Sequence, residues 1–260
     1  MRISAIFMPF FALAAGAAGF YLRLMELWDV FDPLTGLPAR GATTTYALFA
    51  LSVVVLIVVL VFSIRVAVKH KSPRGFENAF GTDPLPYPII ISVIGMVWLG
   101  ATVYLFLDKY ASGDMPMSDL YFLILSALTA ISIAFFAIEM YQNPRRKTTF
   151  ALSIVPTIFM CFWLIIVYRQ NASNPILLSY GYHSLAIITS ALGFYFSSGF
   201  VYSKPAPGRT IFVYFVAIYF CFVTLADEHS ISIRLIIGAI IVMNTIYSSM
   251  LIKNLRWKGQ

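Results

Sequence analysis

Charge is scarce in this chain of 260 residues: only 11% are Asp, Glu, Lys or Arg, against roughly 25% in soluble globular domains. That shortage excludes a soluble enzyme and a charged disordered segment. Cysteine is nearly missing. Cys161 and Cys221 lie in apolar runs without a C-x-x-C spacing or a neighbouring histidine. They read as packed small hydrophobes rather than a disulfide or metal pair. Only three histidines occur: His70, His183 and His229. One of them falls within a span, which argues against a haem held by two axial histidines inside the membrane. His229 follows Asp227 and Glu228, but three consecutive side chains cannot converge on one ion. No P-loop, G-x-G-x-x-G, H-E-x-x-H or G-x-S-x-G motif is present. Neither cofactor nor metal is therefore expected, and no basic helix of nucleic-acid type points to that partner.

What the chain has instead is apolar length. Hydrophobic residues make up 60% and aromatic residues 16%, with a mean hydropathy of +0.84. About 20 mostly apolar residues cross the hydrocarbon as a helix. Eight such runs are legible, near 4–24, 45–64, 88–107, 120–141, 149–168, 176–200, 211–226 and 231–252. Proline, glycine and asparagine turn signals separate most of them. The expected fold is an all-α transmembrane bundle of about eight spans in one membrane domain, without a soluble domain. Met1-Arg2 and the run up to Ala14 imitate a secretory signal. The apolar stretch continues through Leu24, longer than a typical signal core, so it reads as a retained span. The seventh run is the shortest and allows a re-entrant hairpin.

The basic residues are sided. With the amino terminus in the cytoplasm, 13 of 18 fall on that side, including Arg65, Lys69, Lys71, Arg145, Arg146, Lys147, Lys253 and Arg256. Arg23, Arg40, Lys109, Arg169 and Arg234 fall on the other. The positive-inside rule then places both termini in the cytoplasm, agreeing with an even number of spans. The net charge of +7 is accounted for by orientation rather than by a nucleic-acid partner. The lipid bilayer is the expected partner, with a protein partner or homo-oligomer as further readings. Small residues at spacing four mark Ala12/Gly16, Ala15/Gly19 and Thr189/Gly193/Ser197. The first and sixth spans are thereby expected at the packed centre, or the first at a homodimer seam. Pro156 interrupts the fifth span and predicts a kink.

No Asp, Glu or Lys falls in the middle third of a span. This argues against a proton-coupled carrier or an ion pump. The polar residues gather at the outer ends. Arg23 and Glu26 share a helix face, and Asp29 follows. Arg169 ends the fifth span, Tyr180 and His183 begin the sixth, and Asp227, Glu228 and Arg234 flank the last outer turn. They form a candidate outward polar pocket, its arginines suited to an anionic group. The plainer reading pairs Arg23 with Glu26, pairs Arg234 with Asp227 or Glu228, and bonds His183 to a neighbouring helix. The segment Phe76–Phe80 reads as a short helix on the membrane or a docking element.

The pattern Phe20-Tyr21-Leu22-Arg23, Glu26-Leu27, Phe31-Asp32-Pro33, Thr35-Gly36-Leu37-Pro38 and Gly41 resembles the opening of uncharacterised multi-span bacterial membrane proteins. The resemblance implies a bacterial cytoplasmic membrane and transfers no activity or site residue. In that setting the sequon Asn171-Ala172-Ser173 carries no glycan. Three function classes follow. First is an accessory, sensing or assembly subunit, favoured by the missing midplane charge and catalytic motifs. Second is a small-solute transporter or permease using the outward pocket. Third is an intramembrane enzyme on lipid-linked substrates, using His183 or the Asp227–His229 turn.

Overall fold

The computed structural model describes residues 4–31, 39, 41–73, 75–82, 86–113, 115–142, 147–174 and 176–257. It is an all-α structure, with eight helices long and apolar enough to span a membrane. The long helices are α1 (Ser4–Asp29), α2 (Thr43–Lys69), α4 (Pro86–Ser112), α5 (Met117–Gln142), α6 (Lys147–Gln170), α7 (Leu177–Val201), α8 (Pro207–Thr224) and α9 (Ile231–Asn254). The short α3 (Phe76–Phe80) lies between α2 and α4. Most helices run a turn or so beyond the apolar runs, because backbone groups at the interface still need partners that the helix supplies. The turns expected at Asp32-Pro33 and Thr35-Gly36, together with Arg40, Arg145 and Arg146, lie outside the described residues.

The centre of the bundle is α8. Of its apolar stretch 83% is buried, against 67% for α9 and 50% or less for the other six. It packs against α1, α2, α7 and α9. The small-residue stripes of α1 and α7 therefore surround the centre instead of forming it. A Cβ on Gly16 would come 2.7 Å from the Phe222 ring, and one on Gly19 2.8 Å from Val223. On the opposite side Gly193 faces Tyr214. Glycine is thus needed where α1 meets bulky residues of α8. At 18 residues, α8 measures about 27 Å, and its enclosure by four neighbours makes it a span rather than a hairpin.

The two ends of the bundle differ. The end that holds the chain termini is closed by a short antiparallel strand pair, β1 (His70–Lys71) with β2 (Arg256–Trp257). Beside it α3 inserts into the bundle instead of lying on its surface. Phe76 and Phe80 are buried, with Phe80 5.2 Å from both the Phe200 and Tyr247 rings. The Asn254 amide donates to the carbonyls of Ala79 and Gly81 at 3.0 and 3.1 Å, fixing the end of α3. α6 stays helical through Pro156. Ser198 of α7 donates to the Ser153 carbonyl one turn before that proline, at 2.5 Å. Of the cysteines, Cys221 is buried but Cys161 lies exposed on α6.

Candidate functional site

The opposite, distal end gathers the end of α1, the start of α7 and the turn after α8. Arg23 is completely buried there. A buried guanidinium must be paired, and Arg23 is paired twice. Its Nη1 donates to Glu26 Oε2 at 2.7 Å and its Nε to Asp227 Oδ1 at 2.8 Å. Its Nη2 reaches the Ser179 carbonyl at 3.4 Å. The guanidinium also lies over the rings of Tyr182 and Phe31, 5.2 and 5.9 Å from their centroids. The cluster ties α1 to α7 and to the α8–α9 turn. Its two carboxylates outnumber the one guanidinium, and Glu26 Oε1 is buried without a hydrogen-bond partner among the described residues.

Asp227 extends the network. Its Oδ2 accepts from the Thr224 hydroxyl at 2.9 Å, and Thr224 Oγ1 lies 3.2 Å from His229 Nε2. A hydroxyl has one proton, which the carboxylate takes, so His229 must donate through Nε2 to the threonine oxygen. Burial, with Arg234 nearby, holds the His229 imidazole below its ordinary value despite the opposing pull of Asp227 and Thr224. It is therefore neutral at pH 7. The His183 ring packs against it, with centroids 4.4 Å apart, and against Trp163 at 5.6 Å.

A cavity of about 390 Å³ opens on these histidines. Its floor holds His183 and His229, with the Trp163 and Phe122 rings among its walls. Asp108, Lys109 and Asp119 also line it, and Lys109 Nζ pairs with Asp119 Oδ2 at 3.0 Å across the α4–α5 turn. A void of about 10 Å³ lies deeper, beside Pro156, Ser197 and Tyr247. Cavity and void share helices α5, α6, α7 and α9. Between them Phe159 and Met160, both fully buried, fill the bundle.

The structure thus joins Arg23, Glu26 and Asp227 in one cluster, with Arg234 Nη2 reaching the Asp227 carbonyl at 3.5 Å. His183 itself lines the cavity, its ring beside that of His229. His183 Nε2 is buried without a hydrogen-bond partner among the described residues. Tyr180 is half-buried, while Asp29, Arg169 and Glu228 are exposed. None of the three arginines lines the cavity. Sequence reasoning passed over Asp108, Lys109, Asp119, Trp163 and Thr224. The charged residues flanking the α4–α5 turn were the available signal. Among the described residues, no group of three or more His, Cys, Asp or Glu side chains is placed to hold a metal ion. No protein-family model, curated protein or solved structure gives a significant match to this chain.

Proposed function

We propose that this integral membrane protein is a sensing or accessory subunit of the cytoplasmic membrane that takes a small solute in the distal cavity. The observation that carries this reading is a continuous polar chain. It starts at His229 on the cavity floor and passes through Thr224, Asp227 and Arg23 to Glu26 on α1. Occupancy that moves His229 is felt at the end of α1, while Phe159 and Met160 stay fully buried in the core. The charge bias puts this end outside. A permease is the second reading, favoured by the void beside Pro156 on the same four helices as the cavity.

Native mass spectrometry of protein gently extracted from its membrane tests the proposal. A small-molecule adduct is expected on the wild type and its loss on Ile166→Trp, which fills the cavity. Releasing the adduct is expected to speed amide exchange at the end of α1, and Thr224→Val to remove that response. An adduct retained by Ile166→Trp, or unchanged exchange in the wild type, overturns the sensing role. Solute flux into reconstituted vesicles would instead establish the permease.

A further inference from the structure

The cavity's lining, and not the arginines near it, sets the ligand's charge. Arg23 is saturated by two carboxylates and Arg234 reaches a main-chain carbonyl. The lining itself contains Asp108, Lys109 and Asp119. Because Lys109 is paired with Asp119 at 3.0 Å, Asp108 leaves one negative charge in excess among the described lining residues. Phe122 and Trp163 add aromatic rings, which attract a cation electrostatically. Each of these features disfavours an anion.

We infer that the distal cavity is a binding site for an organic amine: a protonated amino group facing Asp108 and the aromatic rings, on an apolar body lying against Leu123 and Ile166. This inference rests on the cavity being a ligand site and gives that site its substrate class. Size agrees, since small-molecule pockets commonly enclose about 300–1,000 Å³. A pocket of mixed apolar walls and a few polar groups gains its selectivity from those groups. Asp108 is exposed and lines the cavity, so an isostere lacking the charge loses the attraction of that carboxylate.

The test uses the purified full-length protein in lipid nanodiscs and three probes of one shape: 2-phenylethylamine, 2-phenylethanol and phenylacetate. Calorimetric titration is expected to show saturable binding of the amine, weakened at least about tenfold for the alcohol and for phenylacetate. Asp108→Asn should weaken the amine by about the same factor and leave the alcohol unchanged. Ile166→Trp should abolish amine binding, whereas Arg169→Ala, outside the cavity, should not alter it. Tighter binding of phenylacetate, equal binding of all three probes, or an Asp108→Asn variant with wild-type amine affinity overturns the amine assignment. If the alcohol or acid binds and Ile166→Trp abolishes it, the cavity remains a ligand site of another class. If no probe binds and Ile166→Trp also keeps its native adduct, both the assignment and the cavity reading fail.

Discussion

Arg23 is the residue on which the distal end depends. Its guanidinium presents separate donors to Glu26 and Asp227, which approach it from different elements. An ammonium is a point charge and cannot reproduce that fork. Removing the cation leaves two buried carboxylates unpaired, a loss of about 3–5 kcal/mol. Arg23→Met is therefore expected to lower the thermal unfolding temperature sharply in detergent, and Arg23→Lys to recover only part of it. The triple variant Arg23→Met, Glu26→Met, Asp227→Leu should recover most of the loss, because no charge then remains in the cluster. An Arg23→Met protein that melts like the wild type would show that the cluster does not hold the helices. The pairing with Glu26 was legible from the spacing of three on one helix. Asp227 was one of two carboxylates near the last turn, and the sequence offered it to Arg234. Which arginine it met was decided by the approach of α1 to the α8–α9 turn, 204 positions away along the chain.

Among elements, α8 separates what a span's own pattern shows from what its neighbours decide. Small residues on α1 marked a close-packed face. The partner of that face, Phe222 and Val223 of α8, belongs to a run that looks like every other apolar run. In lipid, apolar side chains carry no signal for inside against outside, since the tails are as apolar as leucine. Two glycine substitutions test the packing. Gly16→Ala places a methyl group 2.7–2.9 Å from Phe222 and is expected to cost about 1–3 kcal/mol by overpacking. Gly238→Ala, on α9 with nothing within 4 Å, should be neutral or stabilise by up to about 1 kcal/mol. Denaturant unfolding in mixed micelles reads both. Equal effects from the two changes would contradict a tight α1–α8 contact.

At the scale of the whole molecule, orientation is the prediction. The bias of Lys and Arg toward the end with the chain termini predicts a cytoplasmic position for that end. A fluorescent protein fused after Gln260 is expected to fluoresce, and an alkaline phosphatase fused at the same point to stay inactive. The reverse pair of results would turn the cavity to the cytoplasm. The eight spans were readable because hydrocarbon thickness imposes a length on every apolar run. The cavity was not readable, because its lining comes from α4, α5, α6, α7 and the start of α9 with its preceding turn. Its traces in the sequence are His183, already among the polar residues at the outer span ends, and a few charged residues beside the α4–α5 turn.

By itself the sequence determined the number of spans, their membrane-spanning apolar character, the sidedness of Lys and Arg and the confinement of charge to span ends. Each follows from the transfer of a residue between water and hydrocarbon, a property it carries wherever it packs. Tertiary structure alone decided that α8 is central, that Arg23 is neutralised twice, that α3 enters the bundle and that His183 meets His229 over a cavity. Those outcomes depend on which helix faces which. Contacts between helices in lipid are set by shape and by a few polar partners far apart in the chain, which no local pattern encodes.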